Sequence, residues 1–337
     1  MKTFKAALAS LALIAAGPLT AQDFSHEIAD GPVPWNDKPF DAGEDRFMFA
    51  IHGDLTGGER PDVFEIAMAQ INLLRPEFVI NVGDLIEGGE VDRAQYLKQW
   101  DEYDRRVDTL RAPIFYVGGN HDLTNMLSKE IWAERLGPSY YHFLYKDVLF
   151  LVLDAEDNTP DRIAEISAAR AEAVEIYKTE GREAFAKTEY NQMPERSSGT
   201  IGAEQAAYFR DVIATHANVR WTFVIVHKTV WERADESAFA SIEAALSGRN
   251  YTVFNGHEHY YAYRQRHGQD HIQLATTSGE QFPDLGLSED HVTFVTVSGE
   301  EVDIANLMLA GIRDRTGHIP LEGDDVCFAT AECGENE

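Results

Sequence analysis

Seven residues of this 337-residue chain combine metal-donor chemistry with a shared placement. Asp54, Asp84, Asn120, His121, His227, His257 and His259 each stand just past a short apolar run: FMFAI (47–51), FVINV (78–82), IFYVG (114–118), WTFVIV (221–226) or YTVFN (251–255). Carboxylates, a carboxamide and imidazoles supply hard oxygen and nitrogen donors, the mixture that suits Zn, Mn or Fe. If the runs are parallel strands, their carboxyl ends converge on one edge, where open α/β sheets bind ligands.

The elements that must position these donors follow from periodicity. The three early runs read as buried strands, Pro61–Leu74 has helical spacing, and Val91–Leu110 is a charge-rich helix. Strand, helix and strand in this order imply a parallel sheet covered on both faces. Residues 140–154 form a hairpin pattern turning at Lys146-Asp147, and WTFVIV and YTVFN each follow a helical stretch. From Tyr260 to Leu309 the pattern is mostly strand, punctuated by His267-Gly268 and Ser298-Gly299. Residues 155–200 are far longer than an ordinary connection and read as an insertion. Ile163, Ile166, Ala173 and Tyr177 fall on one helical stripe there, so part of it is expected to be an amphipathic helix on the body. A solvated decoration and a substrate-gating lid are both open readings of this segment.

The fragments GDLTGG (53–58), VGDLIEGG (82–89), GGNHD (118–122), VIVHK (224–228) and NGHEH (255–259) resemble, in order, the five sequence blocks of the calcineurin-like metallophosphoesterases. The resemblance implies an α/β fold of four layers, two mixed β-sheets flanked by helices, over residues 46–312, with the strands after His259 completing the second sheet. It implies hydrolysis of phosphate mono- or diesters at a dinuclear site holding Mn, Fe or Zn. Asp84 would bridge both metals, Asp54 and His259 would hold the first, and Asn120, His227 and His257 the second. Such a pair, about 3.5 to 4 Å apart, clamps a phosphoryl oxygen and generates a hydroxide nucleophile near neutral pH. His121 would protonate or stabilise the leaving alkoxide, with Asp122 orienting its imidazole.

The first block departs from the family pattern, because Thr56 stands where a further histidine ligand is usual. Water, another side chain or an empty first position are the possible consequences. His52 lies two residues before Asp54 and is more simply a core histidine than a ligand. Glu87 is a candidate outer ligand, Arg60 and Lys228 are candidate phosphate contacts, and Asp154 and Glu156 end a strand that could reach the same edge. His142 reads as a packed strand residue, and His216, His267, His271, His291 and His318 as surface or structural. A metal- or ligand-binding protein that kept the scaffold and lost efficient turnover is the alternative reading, with Thr56 as its motive.

Composition bounds the partners. A formal charge of −28 repels nucleic acid phosphates, so the expected partner is a small phosphorylated substrate and no nucleic acid. Residues 1–21 read as a signal peptide cut after Ala21, with Lys2 and Lys5 ahead of an Ala/Leu/Ile run broken by Gly17-Pro18. No segment is apolar enough to span a membrane, and the expected location is periplasmic or secreted. An irregular arm covers 22–45. In such a compartment the only two cysteines, Cys327 and Cys333, are expected to pair and staple an acidic tail over 313–337. Oligomeric state is not legible.

Overall fold

The structure is a computed structural model that describes residues 24–29, 31–36, 46–233 and 237–333. The expected signal peptide and its cleavage point lie outside the described residues.

Alternation along the strands sorts the core into layers. In β2 (Arg46–His52), Phe47, Phe49 and Ile51 enter one apolar cluster while Met48 and Ala50 enter another. This is the period-2 consequence of a strand buried on both faces. The same sorting holds in β3 (Phe78–Asn81), where Phe78 and Ile80 face the first cluster and Val79 the second. Between these strands α1 (Val63–Leu74) crosses over, and α2 (Arg93–Val107) leads to β4 (Ile114–Phe115) and α3 (Met126–Arg135). Strands β2, β3 and β4 run parallel, with α1, α2 and α3 packed over their second-cluster face.

The second sheet starts with the hairpin β5 (Tyr141–Tyr145) and β6 (Val148–Leu153). Its turn is Lys146-Asp147, both at positive φ, as a two-residue hairpin loop requires. The insertion then contributes α4 (Pro160–Glu180), α5 (Arg182–Phe185) and α6 (Glu189–Gln192) before α7 (Ala203–Thr215), β7 (Trp221–Val226), α8 (Ala238–Ala245) and β8 (Tyr251–Asn255). Thr200 N–H donates to Ala155 O at 2.7 Å, so the excursion leaves and returns at one point. Its apolar contact is a small separate cluster of Ile166, Ala173 and Tyr190. Of the expected stripe, Ile163, Ile166 and Ala173 are buried, while Tyr177 is 40 % exposed and Arg170 takes a buried place among them.

Strands β6, β7 and β8 are parallel, and α7 and α8 cover their outer face. The C-terminal strands do not all complete one sheet, as the sequence led us to expect. β9 (Ala262–Arg266) and β10 (Gln269–Gln273) extend the sheet of β8, whereas β11 (His291–Ser298) and β12 (Glu301–Met308) add antiparallel to β2. A second difference concerns the N-terminal arm, whose described part includes β1 (Phe24–His26), paired antiparallel with β5 at the sheet edge. The result is a seven-stranded sheet of order β1-β5-β6-β7-β8-β10-β9 stacked on a five-stranded sheet of order β12-β11-β2-β3-β4. Both are mixed and each carries helices on its outer face, giving the four-layer α/β sandwich. The apolar layer between them is aromatic-rich, with Phe49 and Phe78 stacked at 5.1 Å and Phe143 and Phe150 at 4.5 Å between ring centroids. Cys327 and Cys333 are bonded to each other just before α9 ends (Thr330–Cys333).

Candidate metal centre and active site

Asp54, Asp84 and Asn120 follow the carboxyl ends of β2, β3 and β4, and His227, His257 and His259 follow those of β7 and β8. The two sheets therefore each bring half of the donors to one shared edge. His227 gives its Nδ1 proton to Val82 O at 2.7 Å, which leaves the Nε2 lone pair facing Asp84 Oδ2 at 3.2 Å and Asn120 Oδ1 at 3.1 Å. His259 repeats the device: Nδ1 donates to Glu280 O at 2.6 Å, and Nε2 faces Asp54 Oδ2 at 3.3 Å. His257 donates from Nε2 to Arg196 O at 2.7 Å, freeing Nδ1.

Lone pair thus faces lone pair within both groups, an arrangement that a proton or a metal cation reconciles. Asp84, His227 and His257 place one donor atom each within 4.8 Å of one another, and Asp54 Oδ1 is buried with no hydrogen-bond partner among the described residues. These residues fit a metal site, and their donor set suits first-row ions. Electrostatics point the same way. Burial pushes the His227 pKa down, but the Asp84 carboxylate more than offsets it and raises it to about 9. Asp84 is opposed by burial and held well below the ordinary carboxylate range by His227 and its neighbours. A pocket that binds a proton this firmly on an imidazole offers the same field to a cation.

The backbone is bent to make this edge. Asp84, His257 and His259 all adopt positive φ, at 57°, 79° and 54°, a conformation that costs energy and collects at functional sites. Two glycines make room for the carboxylates. A Cβ on Gly119 would lie 2.2 Å from Asp84 Oδ1, and one on Gly256 would lie 2.2 Å from Asp54 Oδ1.

His121 is held differently from the expectation. Its Nδ1 donates to Glu87 O at 2.8 Å, not to Asp122. The Asp122 carboxylate instead accepts four backbone N–H bonds, from Asp84, Leu85, Ile86 and Gly119, at 2.8 to 3.1 Å. Asp122 is fully buried, and those amides, not a ring across the loop, satisfy its oxygens. Burial and the neighbouring Asp84 charge push its pKa up to about 7, opposed by the amide donors. Asp122 therefore shapes the loop that carries Asp84. Nε2 of His121 accepts from Arg170 Nη2 at 3.2 Å. Sequence reasoning missed Arg170; its signal was a charged residue in the apolar stripe of Ile163, Ile166 and Ala173.

The sequence profile described as calcineurin-like phosphoesterase matches residues 47–261, more than half of the chain. The chain belongs to the calcineurin-like phosphoesterase family. That membership supports phosphoester hydrolysis as its general activity class; members of the family use divalent metal ions and act on small phosphorylated substrates. Among solved structures, a dimetal phosphatase from Danio rerio is similar at 14 % identity and a TM-score of 0.50, covering 78 % of this chain and 98 % of its own. A purple acid phosphatase from yellow lupin seeds is similar at 12 % identity and a TM-score of 0.50, covering 80 % of this chain and 53 % of its own. At these identities the likeness is one of fold. No curated protein matches the sequence.

In this phosphoesterase the secondary candidates fall elsewhere. Thr56, in the place of the usual histidine, is buried, and its hydroxyl has no partner at hydrogen-bond geometry among the described residues. Glu87 Oε1 accepts from the amides of Gly57 and Gly58 at 3.1 and 3.4 Å, holding the turn beneath His259. Arg60 is not a phosphate contact: it grips both Asp290 oxygens at 2.5 Å and donates to Cys327 O at 3.2 Å. Lys228 is buried too, bound to Glu156 at 2.7 Å and to Glu195 O at 2.8 Å, so it ties the insertion to the end of β7. Asp154 pairs with Lys129 at 3.1 Å. His52 is a core residue, its Nδ1 2.8 Å from Gly53 O, with a pKa lowered to about 4 by burial. His142 lies 2.7 Å from the Tyr208 hydroxyl, and with Glu27 and His216 it forms a second donor grouping away from these strand ends. His271 and His291 are buried in strands, while His267 and His318 are exposed. Among the described residues no helix is long and apolar enough to cross a membrane.

Proposed function

We propose that this protein hydrolyses small phosphate mono- or diesters with two first-row metal ions, Mn, Fe or Zn. Asp54 and His259 would hold one, Asn120, His227 and His257 would hold the other, and Asp84 would serve both. The observation that carries this reading is the set of opposed lone pairs around Asp84 and Asp54, built by histidines whose other nitrogens are committed to backbone carbonyls. When bound, the metals supply Lewis acidity toward a phosphoryl oxygen and lower the pKa of a water.

The chain's own residues do the rest. Glu87 O fixes the His121 ring at the mouth of the site through Nδ1, and Nε2 accepts from Arg170 in the resting state; the ring serves the departing alkoxide oxygen as an imidazolium, once Nε2 has taken up a proton. Asp122 fixes the Asp84 loop through its four amide bonds. Simple aryl phosphates test the reading: the purified protein with added Mn or Zn is expected to turn them over and to stop with chelator. No turnover of any ester under these conditions would contradict it.

The second reading, a metal- or ligand-binding protein with weakened catalysis, is favoured by Thr56, a hydroxyl where the family's usual pattern has a histidine ligand. It predicts bound metal without turnover. The proposal includes export, motivated by the N-terminal residues and by the Cys327–Cys333 bond. N-terminal sequencing of the exported form should begin at Gln22, and an intact Met1 would argue against it.

A further inference from the structure

Arg170 projects from α4, in the insertion, and is only 9 % exposed. Its Nη2 donates to His121 Nε2 at 3.2 Å and lies 3.3 Å from His121 Nδ1, which is already committed to Glu87 O, and it makes no ion pair among the described residues. This is unusual company for an arginine here. Arg106 pairs with Glu59 and Glu65, Arg135 with Asp101 and Asp104, Arg162 with Glu195, and Arg266 with Glu243. The chain carries 57 acidic side chains against 29 Lys and Arg, so a counterion for a buried guanidinium was abundant in the sequence. A buried cation left without one is costly.

Its location says what anion would complete it. A Cβ built on Gly57 would lie 3.7 Å from His121 Nε2 and 3.2 Å from His259 Cε1, so the ring that Arg170 touches adjoins the proposed metal ligands. Gly89, at φ 72°, lets the loop pass the guanidinium, with a Cβ there 3.1 Å from Nη1. Arg196, another insertion arginine at this edge, already faces Glu258 at 4.0 Å, and Arg182 lies over the Phe282 ring at 5.0 Å.

We propose that Arg170 binds the terminal oxygens of the substrate phosphate and selects phosphomonoesters over diesters. This rests on the phosphoesterase reading above. A monoester presents three terminal oxygens and a second negative charge, which a planar guanidinium fork engages well. A diester keeps only two terminal oxygens and a single charge, and its third oxygen carries a second carbon, so the fork would find a weaker partner there. The insertion then acts as a specificity element resting on the body.

The test uses the metal-loaded full chain with Arg170→Met and Arg170→Lys. Calorimetry with inorganic phosphate should show binding about 10- to 100-fold weaker in Arg170→Met, the usual worth of a charged hydrogen-bond pair. Its kcat/KM should fall at least tenfold more on an aryl monoester than on the matching diaryl diester, with metal content retained. Phosphate should raise the melting temperature of the wild type more than that of either variant, a readout that does not need turnover. Equal losses on both esters, unchanged phosphate affinity, or a wild type that prefers diesters would overturn the inference and leave the broader reading standing. A metal-loaded wild type that hydrolyses no ester would sink the broader reading instead.

Discussion

His227 and His259 give their Nδ1 protons to the carbonyls of Val82 and Glu280, and this commitment decides which nitrogens face Asp84 and Asp54. Such backbone partners fix ring orientation, which matters as much as ligand identity in metal sites. His121 is fixed the same way by Glu87 O, while its Nε2 meets Arg170. On this account His121→Ala keeps its metals and loses about 10² to 10⁴ in turnover, the usual worth of a general acid. The check is kcat for alkyl and aryl esters side by side. Activated aryl esters should suffer less, and equal losses would mean that His121 is not chiefly a proton donor. The donors themselves were legible because each ends a strand. The partners of Asp122 were not, since four amides of a bent loop leave no trace in the order of residues.

Among the elements, β2 to β4, β5 to β8 and both early helices follow from apolar runs and spacing, because strands buried on two faces must be continuously apolar. The destination of the last strands does not. Nothing in the residues of β10 (QDHIQ) or β11 (HVTFVTVS) names a partner, yet one joins β8 and the other joins β2, with the loop from Leu274 to Asp290 between them. Arg60 shows what holds that loop. Its pairing with Asp290, whose side chain is fully buried, together with its bond to Cys327 O, clasps the disulfide-bearing tail to the first-block turn. Burial pushes the Asp290 pKa up to about 6 even with Arg60 beside it. A raised pKa means that the folded state holds the proton more tightly than the unfolded one, so stability falls as pH rises through that value. Arg60→Met removes the cation and raises the pKa further. It should cost about 3 to 5 kcal/mol at pH 8 and clearly less at pH 5, where Asp290 is protonated. Denaturant unfolding at the two pH values measures this, and a penalty independent of pH would show that Asp290 is not the group involved.

The whole molecule is two half-sites brought to a seam. The five-stranded sheet supplies Asp54, Asp84 and Asn120, and the seven-stranded sheet supplies His227, His257 and His259. Neither sheet holds a complete set, so metal loading depends on the aromatic layer that stacks them and in turn should lock that layer. Asp84 is the residue at the middle of the seam, facing His227 across it at 3.2 Å. The most direct measurement is therefore metal stoichiometry, by elemental analysis of the purified protein and of Asp84→Asn. The account predicts two first-row metal ions per chain in the wild type and loss of both in the variant. Full occupancy in Asp84→Asn, or a wild type that takes no metal when Mn or Zn is supplied, would contradict it.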